Sequence, residues 1–199
     1  TVCLLTRDLA DEEIVNDLKT VFDYVKIIDY IQYNVNEMRK AVRDRYSPWI
    51  NASFTKWNCL DLIEYDKILF MDADTVILHN MDELFDLNAP AGTFSSPWDK
   101  KYNPVANKPS NTYPREHGAK ITPKLIKENE EVNYAYATTL LLKPAKGLLE
   151  EFKKWMLKIT DNNRKPFGNK QNGSAWDEQA IARFFAEEKK QDWYYIDNR

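Results

Sequence analysis

The sequence predicts an α/β fold, in which a mixed, mainly parallel sheet of about six strands is flanked by helices. Three observations support this fold class. The chain opens with an apolar run, a helical pattern and a second apolar run, which is the order of a β-α-β unit. Another apolar run lies near residue 70, and the last third of the chain alternates strand-like and helical patterns. With 199 residues, we expect a single domain over residues 1–199.

The first unit begins with Val2–Leu5, a short apolar run typical of a buried strand. Asp11 then precedes apolar residues at helical spacing, and Tyr24–Asp29 alternates and is rich in β-branched residues. A parallel strand pair joined by a helical crossover follows from this order. The residues at helical spacing are Ile14, Val15, Leu18, Val21 and Phe22.

A helix and a strand are predicted in the centre of the chain. Ser47–Pro48 is a helix start, with a capping residue before a first-turn proline, and the pattern runs to about Glu64. Lys67–Asp72 is the next strand. Asn80 and Glu83 have the spacing of a capping box for a short helix.

The segment 97–133 differs from the rest, because it contains five of the nine prolines and shows little periodicity. We expect a long surface flap here, since loops of this length are usually functional lids or disordered. The elements predicted after it are a strand at Thr138–Leu142, a helix from Pro144, a helix from Ser174 and a strand at Trp193–Ile196.

Composition excludes several classes of partner. The net charge is −3 with no long block of like charge, which gives no reason to expect nucleic acid as a partner. The apolar stretches fall far short of the roughly 20 residues of a membrane span. Cys3 and Cys59 are interpreted as buried free thiols in a reducing compartment, so we expect a cytoplasmic protein.

Two carboxylates stand at the end of the strand predicted at Lys67–Asp72, Asp72 as its last residue and Asp74 two positions later. On a strand, side chains at this spacing face the same way, so we expect the pair to converge. Two like charges at such short range require a cation or a proton between them. Mn²⁺ or Mg²⁺ held by both and completed by a diphosphate fits this chemistry. The alternative is that the two residues only cap a turn, where aspartate is common.

The run from Phe54 to Leu87 (FTKWNCLDLIEYDKILFMDADTVILHNMDELFDL) resembles the glycogenin-like glycosyltransferases of family 8. Looser similarity covers most of the chain, including the segment WDEQAIARFF. The resemblance implies a GT-A fold, which is Rossmann-like, and a UDP-sugar donor bound through Mn²⁺. It also implies transfer of a hexosyl group, with glucose favoured, to a glycan or glycoprotein acceptor.

The resemblance assigns roles to particular residues. Asp72 and Asp74 match the D-x-D metal ligands, and Lys56 matches a lysine near the sugar and phosphates of the donor. Asp177 matches the acidic residue of the family's D-Q motif, which lies against the donor sugar. We therefore expect Lys56 and Asp177 to take part in catalysis. In the family an earlier strand holds the donor base. Either the segment Val2–Asp8, with Thr6 and Asp8, takes on this role here, or that first unit is absent or removed.

Other differences from the family pattern leave some roles in the site unassigned. The family's late histidine ligand has no match, so water, the nucleotide or an acid such as Asp197 would complete the metal shell. Tyr136–Thr138 replaces the family's motif beside the acceptor, which leaves the acceptor and the stereochemical outcome open.

Simpler roles and rival functions remain. Lys56 has the alternative of a solvated helix lysine, and Asp177 that of a capping-box partner of Ser174. A sugar nucleotidyltransferase would also place acidic metal ligands on a Rossmann-like sheet, but it calls for a glycine-rich phosphate loop. The chain has five glycines, and none precedes Gly92. The remaining alternative is a non-catalytic domain that binds sugar nucleotides or glycans.

Overall fold

The structure is a computed structural model that describes residues 1–33, 49–94, 116–128, 135–161 and 176–197. It contains strands, α-helices and short helices of other types. The strands are β1 (Val2–Thr6), β2 (Tyr24–Ile28), β3 (Ile68–Phe70), β4 (Ala91–Phe94), β5 (Lys120–Ile121), β6 (Ala135–Leu142) and β7 (Trp193–Tyr195). The α-helices are α1 (Glu12–Lys19), α2 (Pro123–Glu128), α3 (Leu148–Asp161) and α4 (Trp176–Arg183). The remaining helical segments are 3₁₀ helices at Arg7–Leu9, Ile50–Asp61 and Asp82–Asp86, and a π-helical turn at Phe184–Glu188.

The predicted β-α-β opening is confirmed. β1 and β2 pair in parallel as a two-stranded sheet, with α1 as the crossover between them. Asp11 begins α1, because its side chain accepts a hydrogen bond from the backbone N–H of Ile14 at 2.9 Å. Acidic residues in the first turn and Lys19 in the last turn suit the helix dipole.

A second sheet has five strands in the order β3-β6-β4-β7-β5. The mixed α/β class is confirmed, but the expectation of a mainly parallel sheet is wrong for the residues described. The two sheets of the described residues contain five strand pairs, and only β1–β2 and β4–β7 are parallel. The reason is β6, which lies antiparallel to both β3 and β4 and so reverses the centre of the sheet.

The core lies between the larger sheet and the helices. The stripe predicted on the helix after Pro144 is confirmed and buried, although α3 begins only at Leu148. Phe184 contacts Phe152 and Trp155 edge-on at 5.4 and 5.7 Å between ring centroids. Cys59 is buried and free, whereas Cys3 is only partly buried. The stripe consists of Leu148, Phe152, Trp155, Met156 and Ile159.

The two helix starts predicted in the centre of the chain have different outcomes. The central helix is a 3₁₀ helix at Ile50–Asp61, and Ser47–Pro48 lies outside the described residues. The capping box at Asn80 is wrong, because the Asn80 side chain accepts from the backbone N–H of Asp82, two residues on, at 2.7 Å. Asparagine commonly makes this local turn in place of a helix cap.

The predicted flap is only partly described. Residues 97–115 and 129–133 lie outside the described residues. Within 116–128, the chain forms β5, which pairs with β7, and α2, whose Ile126 is buried. This portion is therefore not the loop that its prolines indicated, since Pro123 begins a helix.

Candidate functional site

The D-x-D segment lies just beyond the end of β3. The strand ends at Phe70, and the backbone N–H of Thr75 donates to the carbonyl of Asp72 at 3.1 Å. Asp72 and Asp74 therefore lie in a turn, and the expectation that strand alternation aligns them is wrong, because the strand has already ended. The side chain of Asp72 is partly buried, at 27% exposure, and Asp74 is exposed.

Lys56 is held by the Ile50–Asp61 helix. Its neighbour Trp57 is fully buried, with the Lys56 ammonium 5.9 Å from the ring centroid. Its other neighbour, Thr55, accepts a hydrogen bond from the backbone N–H of Ile31 at 3.1 Å through its buried hydroxyl. Asn58 donates to the carbonyl of Asp29 at 3.0 Å. These contacts fix the helix against the chain that follows β2, and so fix the position of Lys56.

Asp177 is the second residue of α4. Its side chain is only 8% exposed, and most of the helix around it is buried. A carboxylate in the first turn is favoured by the partial positive charge at a helix N-terminus. Ser174, its predicted capping partner, lies outside the described residues.

The Lys56 ammonium joins the partly buried carboxylate of Asp72 to the buried carboxylate of Asp177. Its Nζ lies 3.0 Å from Asp72 Oδ1 and 2.9 Å from Asp177 Oδ2. Three residues that are far apart in the sequence thus meet at one point, where the central helix, the turn after β3 and the start of α4 converge. The interpretation of Lys56 as a solvated lysine is wrong, since its side chain is 21% exposed and doubly paired.

The charge state of Lys56 follows from two opposing effects. Burial lowers the pKa of its ammonium, but the charges of Asp177 and Asp72 outweigh burial and raise the pKa above the ordinary value of 10.5. Lys56 is therefore positively charged across the physiological range. Two carboxylates face one ammonium in this cluster, and Asp74 follows Asp72 two residues later in the chain.

The donor atoms fit a hard divalent cation. Carboxylate oxygens suit Mg²⁺ and Mn²⁺, which proteins commonly hold through one or two carboxylates, with phosphate and water completing the shell. Within the described ranges, no group of three or more His, Cys, Asp or Glu side chains lies close enough to form a metal site alone. Asp197 lies after β7 instead, where its backbone N–H is 3.4 Å from His117 Nδ1.

Thr6 and Asp8 lie at the carboxyl end of β1 and interact with the end of β2. The hydroxyl of Tyr30 donates to Asp8 Oδ2 at 3.1 Å, and Arg7 pairs with Asp29 at 2.8 Å. A hydrogen bond from Thr6, offset in part by desolvation and assisted by Tyr30, lowers the pKa of Asp8. Ligands bind beyond the carboxyl ends of parallel strands, so this position suits donor binding, which stays a prediction.

Sequence reasoning missed two buried polar residues that lie near the site residues in the sequence. Thr55 and Gln179 are buried, the first beside Lys56 and the second two residues after Asp177. A signal for Lys56 itself was present, because it lies between Phe54 and Trp57, two residues with no exposed surface. A lysine between core positions of a helix indicates a buried partner.

Comparison with known proteins places the chain in a defined context. The model of the family described as "Glycosyl transferase family 8" matches residues 1–134. An uncharacterized protein of Acanthamoeba polyphaga mimivirus, R707, is 33% identical over 158 residues, which are 79% of this chain and 48% of the viral protein.

Two relatives have informative names. Human glycogenin-1 is 33% identical over 86 residues, covering 43% of this chain and 24% of that protein. The Arabidopsis thaliana UDP-glucuronate:xylan alpha-glucuronosyltransferase 1 is 46% identical over 48 residues, or 24% of this chain and 7% of the plant enzyme. The chain thus spans about half the length of the viral relative and smaller parts of the others. No helix in the part of the chain that the structure describes is long and apolar enough to cross a membrane.

Proposed function

This chain belongs to glycosyl transferase family 8, and on that premise we propose that it transfers a hexosyl group from a UDP-sugar to a glycan or glycoprotein acceptor. Glucose is the favoured sugar, and the reaction depends on Mn²⁺, with Mg²⁺ as the substitute. The observation that carries the proposal is the cluster of Lys56, Asp72 and Asp177. It presents a fixed positive charge and unneutralised carboxylates beside the end of β3.

The carboxylates of Asp72 and Asp74 would hold the cation. When bound, a divalent cation stabilises the negative charge that develops on a departing diphosphate. The turn that carries both residues follows β3 directly, and strand ends are where open α/β sheets bind ligands.

Lys56 supplies a second positive charge to the leaving group. Its ammonium is preorganised by two ion pairs and a buried helix, so little reorganisation is needed when the diphosphate charge develops. Asp177 faces the same ammonium from α4, and its role is to orient Lys56 and to stabilise positive charge on the reacting sugar. Thr6 and Asp8 bind the donor base in this proposal.

The choice of donor follows from the relatives. The name of the plant enzyme specifies UDP-glucuronate, and the glycogenins-1 of Caenorhabditis elegans and human are 30% and 33% identical to this chain over 101 and 86 residues. A uridine diphosphate sugar is therefore the donor class to test, with UDP-glucose first and UDP-glucuronate second.

The test is donor cleavage by the 199-residue chain with Mn²⁺, without added acceptor, over a panel of UDP-sugars. We expect UDP and free sugar as products, with one UDP-sugar preferred. Release of pyrophosphate after addition of UTP and a sugar phosphate would instead identify a nucleotidyltransferase. No product with any donor, together with measurable UDP-sugar binding, would identify a non-catalytic binding domain.

A further inference from the structure

The double pairing of Lys56 has a consequence for cation binding. Lys56 Nζ already contacts one oxygen of Asp72, at 3.0 Å, so a cation on that carboxylate would bind beside an existing positive charge. The side chains of Lys56, Asp72 and Asp177 are 21%, 27% and 8% exposed, so solvent screens this repulsion only in part. Lys56 therefore opposes binding of a divalent cation alone.

A diphosphate reverses the balance. Its negative charges attract both the cation and the Lys56 ammonium, so the two positive charges become stabilising neighbours of one anion. Lys56 thus has opposite effects on the two ligands when each binds alone: it weakens the cation and strengthens the diphosphate.

We propose that Lys56 makes cation and donor binding interdependent. Its ammonium, shared between Asp72 and Asp177, acts as a resident counter-ion. A cation displaces this ammonium from Asp72 favourably only when a diphosphate binds as well. This inference rests on the proposed cation site at Asp72 and Asp74. It assigns Lys56 a positioning role that couples the two binding equilibria, in addition to its role toward the leaving group.

Asp177 contributes to this coupling through its ion pair with Lys56. Its carboxylate lies 2.9 Å from the ammonium and is the less exposed of the two partners, so it anchors Lys56 from the side of α4. The anchor keeps Lys56 in place when the Asp72 oxygen is taken by a cation. Because coupling between two ligands is reciprocal, the factor by which UDP raises the Mn²⁺ affinity equals the factor by which Mn²⁺ raises the UDP affinity.

The test compares Lys56→Met, which removes the charge, with Lys56→Arg, which keeps it. The control is Lys120→Met, because Lys120 makes a similar 3.0 Å pair with Asp192. It lies on β5, at the opposite edge of the sheet from β3, which is four strand spacings or about 19 Å away. That distance exceeds the Debye length of about 10 Å at 0.1 M salt. Mn²⁺ affinity is measured by electron paramagnetic resonance, with and without UDP, and UDP affinity by calorimetry in EDTA.

We expect Lys56→Met to tighten Mn²⁺ binding without UDP by about tenfold and to weaken UDP binding in EDTA by a similar factor. Lys120→Met should stay close to the wild type for both ligands, and Lys56→Arg, which keeps the charge, should lie closer to the wild type than Lys56→Met for both. A variant that is merely damaged would lose affinity for both. Lys56→Gln, which is neutral but keeps a hydrogen-bond donor, repeats the test if Lys56→Met does not fold.

The outcomes separate this inference from the proposed function. Weaker or unchanged Mn²⁺ binding in the neutral variants would overturn the counter-ion role while leaving the cation site intact. Failure of the wild-type chain to bind Mn²⁺ even with UDP would overturn the cation site itself, and this inference with it.

Discussion

Lys56 Nζ lies 2.9 Å from Asp177 Oδ2, which ties the central helix to the start of α4 across more than half of the chain. The same ammonium contacts Asp72 after β3. One side chain thus links three elements that converge on the candidate site, so its loss should affect both stability and ligand binding.

The first prediction concerns stability. Lys56→Met leaves Asp177 buried without its partner, and removing one member of a buried pair costs about 3 kcal/mol. Urea denaturation of the metal-free protein measures the loss. Lys153→Met is the matched control, because Lys153 pairs with Glu150 at 2.8 Å on the exposed surface of α3. That variant should unfold at nearly the wild-type urea concentration, and equal losses in the two variants would contradict the buried role of Lys56.

The second prediction separates the two roles of Asp177. Asp177→Asn keeps the shape and hydrogen-bonding capacity but removes the charge, so a catalytic role should lower kcat by about 10²-fold or more, or roughly 3 kcal/mol. Thermal melting and turnover are measured on the same preparation. A lowered melting temperature with normal kcat would leave Asp177 with a structural role alone.

The third prediction concerns pH. Burial raises the pKa of the Cys59 thiol from 9.0 to about 12. Above pH 9 the unfolded chain loses this proton while the folded chain keeps it, so the free energy of unfolding falls as pH rises, by up to about 1.4 kcal/mol per pH unit. Burial, with the nearby charge of Glu150, also raises the pKa of Tyr33 to about 12, with the same sign.

Cys59→Ala tests how much of this loss of stability at alkaline pH is due to the thiol. The variant starts from a lower stability, because it leaves a small cavity. Its unfolding free energy should then fall less steeply than that of the wild type between pH 9.5 and 11. Parallel curves over that range would show that Cys59 is not the group responsible.

The fourth prediction tests the antiparallel centre of the sheet. A Cβ at Gly92 would lie 2.5 Å from Leu140 Cδ2, across the β4–β6 pair. Gly92→Ala should therefore destabilise the protein by about 1–3 kcal/mol through overpacking. In a Leu140→Ala background the same change should cost less, and a double-mutant cycle in urea measures the difference. Additive losses would argue against this contact.

The sheets and α3 show how much of the fold can be predicted from the sequence. The helical stripe of α3 and the strands β1 and β2 follow from local patterns, because apolar spacing reports which face is buried. β4 could not be predicted, since Ala91–Phe94 includes alanine and glycine, which strands rarely favour. Its pairing with β6 depends on contacts between distant segments, which no local pattern records.

The candidate site shows the same division. Residue types and the family resemblance indicated Lys56, Asp72 and Asp177 separately, and the structure adds that one ammonium joins them. The turn at Asp72–Thr75 was only the alternative to a strand that runs to Asp72, because the apolar run before it gives no sign that the strand ends at Phe70. The roles of Thr6, Asp8 and the flap stay predictions.

The measurement that tests the central claim most directly is release of UDP from the preferred UDP-sugar by Asp72→Asn and Asp74→Asn, each with Mn²⁺ and with EDTA. Asp82→Asn is the control, because Asp82 lies in the next helix and contacts Asn80. Two carboxylates that hold the cation predict that both site variants lose Mn²⁺-stimulated release by about 10²-fold or more, while the control keeps it. Full release of UDP by the wild type in EDTA, or wild-type rates in both site variants, would contradict the account.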